Sequence, residues 1–306
     1  MAKMSALGYF GLGKETTFGT AVAPAVYIPY DSIKVEEDIK KVTDEGRRGI
    51  LSKSFGVYNT TRQSKVEFGM PAYPDLIGHL LMGILGKDTV TGSAAPYTHK
   101  FQVLDALAPT FTASDYNTVT ERRYAGAILD ELDFKFDADT AVKVTAKMKS
   151  KASVVASKST PTITVAKPFL GFTSTLTLGS TVDADLLGGE VSIKRDNQLI
   201  FAGNNTQDPT RYITGRIEAT GKLTMDFDNE DDLNAYLNGT QQAVKISFVL
   251  DANTSLEFSF GKVDVTKVTV DRSQEYIRAD MSFKALYNAT DAGMVTVTLK
   301  NAVATY

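Results

Sequence analysis

Hydrophobic and polar residues alternate with period two along most of the chain. Clear examples are residues 65–68, 132–136, 142–148 and 245–249. Such alternation gives an extended strand one apolar face and one polar face, and threonine on the polar face favours strands further. We therefore predict a mainly β protein with antiparallel strands.

Helical periodicity is convincing in two short segments, 74–85 and 229–237. The segment KVEFGMPAYPDLIGHLL, which starts at Lys65, is similar to the segment KLTMDFDNEDDLNAYLN, which starts at Lys222. The offset between them is 222 − 65 = 157 residues. Leucines coincide on the two helix faces and are predicted to pack each helix against its own half of the protein: Leu76, Leu80, Leu233 and Leu237.

Two further matches flank this anchor. Ser32-Ile-Lys has a counterpart at Ser192-Ile-Lys with an offset of 160, and Ala146-Lys-Met resembles Ala279-Asp-Met with an offset of 133. The smaller offset predicts extra residues in the first copy. We place them within 87–123, where Gly, Ser, Ala and Pro are frequent, as is typical of loops. The order of strand, long hairpin, helix and strands is thus predicted to occur twice.

The chain is expected to divide into two tandem β-sandwich domains, each with one short α-helix and a long β-hairpin. Their predicted bounds are 1–152 and 169–306, joined by a low-complexity linker at 153–168. The long hairpin arms are predicted at 32–41 with 52–69, and at 190–202 with 212–227. One continuous sandwich with chance similarity is the alternative.

Composition excludes several classes of function. The 306 residues carry a net charge of −3, so no basic field is present to hold nucleic acid tightly. Cysteine is absent, which excludes disulfides, thiolate metal sites and thiol nucleophiles. No run of about 20 apolar residues is present, so we expect no membrane association. The first residues lack the apolar core of a signal peptide, so synthesis and folding in a reducing cytoplasm are expected.

Catalytic and metal-binding patterns are weak. His79 and His99 lack a partner at a ligand spacing, and no nucleophile motif is present. The acidic run 226–232 lacks the glycine and final glutamate of a calcium loop, and is predicted to begin a helix, with Asp228 or Asn229 as the cap. We expect no enzyme activity, no cofactor and no metal.

The segment Gly11-Leu-Gly-Lys-Glu-Thr-Thr-Phe-Gly-Thr-Ala-Val-Ala-Pro-Ala resembles the opening of the major tail tube proteins of long-tailed bacteriophages. The resemblance continues through Gly46-Arg-Arg-Gly, the strand and helix at 65–85, and the closing strand 294–301. It implies a structural subunit in the virion tail, whose β-hairpins line a ring-shaped β-barrel through which DNA passes into the host.

Related tubes have six such domains in a ring. Two domains in one chain would fill such a ring as a trimer with pseudo-sixfold symmetry, and a hexamer is the alternative. The implied partners are further copies of the chain, a tape measure protein, and tail-tip and terminator proteins, with DNA present only in transit and not specifically bound. Unpaired sheet edges would join the copies.

In such a ring, the polar loops between hairpin arms are expected to contact the neighbouring ring, and their candidate residues are Val42, Asp44, Glu45, Arg47, Arg48, Asn204, Asn205, Asp208 and Arg211. The lumen is expected to be polar or acidic so that it does not grip phosphate, with candidates Glu36, Glu37, Asp38, Glu67, Glu218 and Asp226. An outer, solvated position is the alternative for each of these acids.

Two other functions remain open at this stage. One is a tail-tip ring or capsid decoration protein built from the same kind of domain. The other is a carbohydrate-binding β-sandwich or adhesin, which would be expected to expose aromatic platforms, often of tryptophan, whereas this chain has no tryptophan.

Overall fold

A computed structural model describes residues 4–183, 186–227, 230–273 and 275–306 of the chain. Within these ranges the protein is mainly β, as predicted. The elements up to residue 156 are β1 (Tyr9–Lys14), β2 (Val26–Ile28), β3 (Ser32–Asp44), β4 (Gly56–Pro71), α1 (Ile77–Leu85), β5 (Gly86–Thr91), β6 (Tyr97–Val103), β7 (Phe111–Tyr116), β8 (Glu121–Asp137), β9 (Lys143–Ser150) and β10 (Val154–Ala156).

The remaining elements follow a similar order. They are β11 (Ser174–Leu178), β12 (Thr181–Asp183), β13 (Leu186–Arg195), β14 (Gln198–Ile200), β15 (Arg211–Ile213), β16 (Ile217–Asp226), α2 (Asp231–Leu237), β17 (Gln242–Asp251), β18 (Thr254–Asp271), β19 (Arg278–Ala285) and β20 (Thr296–Asn301). The predicted caps of α2, Asp228 and Asn229, lie outside the described residues.

Eight antiparallel strands form a continuous sheet in the order β3-β4-β9-β8-β13-β16-β19-β18. The long strands β8 and β18 extend out of this sheet, and their first halves pair with the outer strands β7, β10, β17 and β20. Alternating apolar residues from both layers fill one continuous core. The strands that the structure describes do not close into a barrel within the single chain.

Strand pairing follows the same scheme in both halves of the chain. Seven pairings of the first half have a counterpart in the second: β1–β2 with β11–β12, β1–β7 with β11–β17, β3–β4 with β13–β16, β4–β9 with β16–β19, β7–β8 with β17–β18, β8–β9 with β18–β19, and β8–β10 with β18–β20. The hairpin β5–β6 follows α1 without a counterpart after α2, within the region where extra residues were predicted.

The pairing register tests the predicted offsets. Val66 lies opposite Met148, and Leu223 lies opposite Met281, which agrees with the offsets of 157 and 133. The offset of 160 is wrong for the first hairpin strand. Lys65 pairs with Glu36 and Lys222 pairs with Glu190, so the equivalent strands are related by 190 − 36 = 154. A three-residue match was too short to fix a register that backbone hydrogen bonds determine.

Two predicted boundaries also differ in the structure. The second hairpin is interrupted, because its arms end at Arg195 and Ile217 and the ribbon β14–β15 lies between them. The segment 153–168, predicted as a linker, contains β10 and is tied to the first half of the chain. There Glu121 accepts hydrogen bonds from the Ser159 backbone N–H at 2.6 Å and hydroxyl at 2.9 Å.

Candidate lumen face and assembly edges

The eight-stranded sheet has one core face and one charged face. On β4, for example, Val66 and Phe68 are buried in the core, so Glu67 between them lies on the opposite, exposed face. The same alternation on every strand defines the charged face, with similar numbers of acids and cations: Glu36, Asp38, Glu67, Glu131, Asp133, Asp137, Glu190, Glu218, Asp226, Asp264, Asp271 and Asp280, with Lys34, Lys65, Lys135, Lys143, Lys147, Lys149, Lys194, Lys222, Lys267, Arg278 and Lys284.

A row of alternating charges crosses this face from strand to strand. The register places it in the order Lys34, Glu67, Lys147, Glu131, Lys194 and Glu218, and Lys284 pairs with Glu218 to continue it. Each charge therefore has an opposite charge on the neighbouring strand, an arrangement that stabilises cross-strand pairs. We call this row the charge ladder.

Glu131 is the centre of the charge ladder. Its two carboxylate oxygens lie 3.0 Å from the Lys147 Nζ and 2.8 Å from the Lys194 Nζ. Burial opposes ionisation of this carboxyl, but the hydrogen bonds from Lys194 and Lys147 outweigh it and lower the pKa of Glu131. The same hydrogen bonds raise the pKa of both lysines, so these three groups stay charged at neutral pH.

Other lysines of the face are also held near carboxylates. Lys222 lies 2.9 Å from Asp280, and Lys65 lies 3.6 Å from Asp38 and 3.8 Å from Glu36. Cations held this way present less free positive charge to a polyanion than the same number of unpaired lysines.

Five of the six predicted lumen acids lie on the charged face: Glu36, Asp38, Glu67, Glu218 and Asp226. Glu37 is the exception. It shares its side of β3 with Ile33 and Val35, which pack on the core, and it accepts a hydrogen bond from the Ser64 hydroxyl. The acidic run 36–38 could not separate the two faces, because consecutive strand residues point to opposite sides.

The loop between β14 and β15 lies against the side of the β3–β4 hairpin. The Arg62 Nε of β4 lies 2.7 Å from Asp208 Oδ1 and its Nη2 lies 3.0 Å from Oδ2, so a two-point ion pair ties this strand to the loop. Of the residues predicted to contact the next ring, Glu45, Arg47, Arg48, Asn204, Asn205 and Arg211 are exposed.

Val42, Asp44 and Arg211 lie in strands and not in the loops, and some candidates are already in ion pairs. Val42 and Asp44 belong to β3, because the strand runs three residues further than predicted. Asp44 is paired with Arg48, and Asp208 is paired with Arg62. Arg211 begins β15. The turn itself spans 45–55 and carries Ile50 and Leu51, both fully or largely exposed apolar residues that the sequence analysis did not single out.

Both outer strands of the eight-stranded sheet have an unpaired side. Within the described part of the chain, β3 pairs with β4 alone, and residues 264–271 of β18 pair with β19 alone. Exposed backbone N–H and C=O groups on long strands favour the addition of another strand.

The predicted helix-packing residues behave differently in the two helices. Leu76 and Leu80 are buried, with Leu80 only 1% exposed. Leu233 is half-buried, but Leu237 is 69% exposed, so its prediction as a packing residue within the chain is wrong. Whereas α1 packs against β5, β6, β8 and β13, α2 packs mainly against β18.

Glu15 organises the opening motif. It is buried and accepts hydrogen bonds from the Thr110 and Thr112 hydroxyls and from the backbone N–H groups of Gly19 and Gly126, at 2.7–2.9 Å. The Glu-Thr-x-x-Gly-Thr spacing was the available sequence signal, because the turn must bring the Gly19 N–H back to the carboxylate. This part of the motif has a structural role.

The two histidines are also part of the packing. The His99 ring is buried, with Nδ1 2.8 Å from Asp88 and Nε2 2.7 Å from the Val303 carbonyl. Burial lowers the pKa of His79 to about 4. Among the residues that the structure describes, no three potential ligands cluster as a metal site would require. Nor is any helix there long and apolar enough to cross a membrane.

A family model described as "Phage tail tube protein" matches residues 5–299. The chain belongs to the phage tail tube protein family. The match extends over both halves, including the charged face and both unpaired edges. A comparison with curated proteins finds no match. Membership in the tail tube family supports a structural subunit of a bacteriophage tail and a location in the virion tail.

Proposed function

We propose that the chain is the repeating subunit of the tail tube, and that copies join side by side into rings that stack into a conduit for DNA. The observation that carries this proposal is the eight-stranded sheet, because the charges of its exposed face neutralise one another and its two outer strands, β3 and β18, each have one unpaired edge. Adding copies at both sides would satisfy the exposed backbone groups and turn the charged face toward a common axis.

The repeated strand pairing supports two tandem tube modules, predicted at 1–152 and 169–306, with β10 of the connecting segment 153–168 completing the first module. Each module contributes four strands to the sheet, so one chain fills two of the quasi-equivalent positions around a ring. Six modules then require three chains, which makes the proposed ring a trimer with pseudo-sixfold symmetry.

The geometry of the sheet favours three copies over six. The charge ladder joins Lys34 to Lys194 across four strand steps, and Lys194 is equivalent to Lys40 at the offset of 154, so the shear is 40 − 34 = 6 residues per module. This shear corresponds to a strand tilt of about 45° and, for three chains of eight strands, a barrel roughly 50 Å across the backbone. Six chains would give a barrel about twice as wide, far more than one DNA duplex needs.

The charged face is suited to the passage of DNA and not to tight binding of DNA. Proteins bind DNA mainly through free lysine and arginine side chains, which neutralise phosphates and release the bound counterions. The lysines of the charge ladder are already paired with carboxylates, so they are less able to neutralise phosphates. The proposed tube would therefore let DNA slide without specific contacts. Its other proposed partners are a tape measure protein inside the tube and tail-tip and terminator proteins at its ends.

The test is negative-stain electron microscopy of the overexpressed, purified chain. Long tubes with stacked rings are expected. Single rings that never stack would instead indicate a tail-tip ring, and binding to an assembled capsid would indicate a decoration protein. A chain that stays monomeric at every concentration and binds glycans would contradict the proposal and favour an adhesin.

A further inference from the structure

The junction between the two halves of the chain is a complete example of how two modules join. Leu132 of β8 lies opposite Ile193 of β13, and both side chains are fully buried. Helix α1 covers this junction and contacts both strands. Arg195 at the end of β13 donates hydrogen bonds to the Ile84 carbonyl at 2.9 Å and the Leu104 carbonyl at 3.1 Å, which fixes the second module against the end of α1.

Strand register identifies the residues at the equivalent places on the two unpaired edges. Glu36 and Glu190 occupy equivalent positions, so Ile193 corresponds to Ile39 on β3. On the other side, Leu132 lies opposite Ala146, and Val270 lies opposite Ala279, the residue aligned with Ala146. Val270 is therefore the counterpart of Leu132.

These equivalent residues lack the cover that the internal junction has. Ile39 is 39% exposed and Val270 is half-buried, although both point to the core side of the sheet. Leu237 on α2 is largely exposed, whereas its counterpart Leu80 on α1 is buried. The described contacts of α2 include β18 but no strand in the place that β13 occupies beside α1.

We propose that β3 of a second copy lies beside β18 as β13 lies beside β8, with its Ile39 opposite Val270 and covered by Leu237. This inference rests on the proposed ring. It specifies the register between neighbouring copies, the apolar side chains in contact, and the strand that pairs with the free edge of β18. Burial of three exposed or half-exposed aliphatic side chains would accompany the new backbone hydrogen bonds.

Charge in this register supports a second copy as the occupant. Antiparallel pairing of Ile39 with Val270 sets Glu37 of the second copy opposite Arg272, two exposed side chains of opposite sign. It also sets Asp38 opposite Asp271. Each of these acids has a cation on its own neighbouring strand, since Lys65 lies 3.6 Å from Asp38 and Arg278 pairs with Asp271 in the β18–β19 register.

The absence of cysteine from the native chain allows a direct test by disulfide crosslinking. In the double variant Ile39→Cys/Val270→Cys, each chain carries one cysteine at each edge, and mild oxidation of assembled protein is expected to give covalent dimers and trimers on a non-reducing gel. A closed trimer should give no larger product. The matched control is Ile39→Cys/Thr269→Cys, because Thr269 points to the charged face and its Cβ lies outside disulfide reach.

A second variant tests the helix contact. Leu237→Asp is expected to leave the circular dichroism spectrum and melting temperature of the dilute monomer unchanged, while rings are lost at concentrations where the native chain assembles. Normal tubes without the 39–270 crosslink, or normal assembly of Leu237→Asp, would overturn this register and leave the proposed tube function standing. Failure of the native chain to assemble at all would contradict both.

Discussion

Individual buried polar residues hold the turns and junctions that the apolar pattern does not specify. Glu15 gathers two hydroxyls and two backbone N–H groups around one carboxylate, and Arg195 supplies donors to carbonyls of the other module. Such groups are costly to bury without partners, so their hydrogen bonds fix the geometry of the segments they join.

His79 makes the stability of the chain depend on pH. It lies half-buried on α1, and its ring packs edge-on against the Tyr306 ring at 4.9 Å. Burial, with a smaller effect from Lys14 that Asp75 opposes, lowers its pKa from 6.5 to about 4. The unfolded chain therefore binds a proton between these two pH values that the folded chain excludes, and stability is lost as pH falls from 6.5 towards 4.

We predict that His79→Phe, which keeps an aromatic ring but cannot titrate, removes this part of the pH dependence. The native chain should lose on the order of 3 kcal/mol more than the variant between pH 7 and pH 4, since one pKa unit corresponds to about 1.4 kcal/mol. Urea unfolding of dilute protein at both pH values measures the difference. A gap between the two proteins that does not change with pH would contradict the pKa shift.

At the scale of elements, α1 and α2 show what a helix requires beyond its own sequence. Both begin after equivalent strands and carry aligned leucines, but α1 lies between β8, β13 and the hairpin β5–β6, whereas α2 has mainly β18 beneath it. The same leucine position is therefore buried in one helix and exposed in the other.

We predict that Leu80→Asp and Leu237→Asp differ sharply in the free energy of unfolding of the monomer. A buried, unpaired carboxylate at position 80 should destabilise the chain by roughly 3 kcal/mol or more, whereas an exposed one at position 237 should change stability by less than about 0.5 kcal/mol. Thermal melts of the two variants provide the measurement, and each serves as the control for the other. Equal melting temperatures would mean that α2 is packed like α1.

This contrast also shows what the sequence could predict. Period-two alternation was enough for the strands, and the match of 65–81 with 222–238 was enough for the helices. The offsets of 157 and 133 agree with the register of β4 with β9 and of β16 with β19, but the sequence did not predict which strands pair. The burial of Leu237 and the face of Glu37 were wrong, because burial depends on which strand covers a residue and because adjacent strand residues face opposite sides. The interruption of the second hairpin by β14 and β15 left no comparable signal in the hydrophobic pattern.

For the molecule as a whole, the two ends and two sides of the sheet have separate tasks in the proposed tube. The unpaired sides serve lateral contacts, and the end with the 45–55 turn serves contacts along the axis. Ile50 and Leu51 in this turn are exposed apolar residues, and Arg47 and Arg48 lie close to them in the sequence. Packing within the single chain does not account for two exposed apolar side chains here.

We predict that replacing 45–55 by a two-residue Asn-Gly turn leaves ring formation intact and prevents stacking. The β3–β4 pairing from Ile33 to Ile39 does not involve the turn, and the Arg62–Asp208 ion pair remains. Electron microscopy should show isolated rings in place of tubes. Exchanging Ile50 and Leu51 alone for serine is the milder companion variant, and normal tubes from both variants would exclude an axial role for this turn.

The last prediction concerns the charged face and DNA. If DNA passes freely through the proposed conduit because the cations of this face are paired, then adding unpaired cations should make the tube bind the phosphate backbone. We expect tubes of the double variant Glu67→Lys/Glu190→Lys to retain short duplex DNA at low salt, because each subunit loses two carboxylates and gains two ammonium groups on the charged face, a net change of +4, and because the charge ladder is broken at Glu67. Cosedimentation of DNA with assembled tubes at increasing salt measures this, and the retention should fall steeply between about 50 and 200 mM. The matched control Asp139→Lys/Asp251→Lys makes the same change in net charge at two exposed residues away from the charged face, one in a turn and one at the end of β17. Equal DNA retention by both variants would show that net charge alone governs the effect, and it would place the charged face outside the conduit.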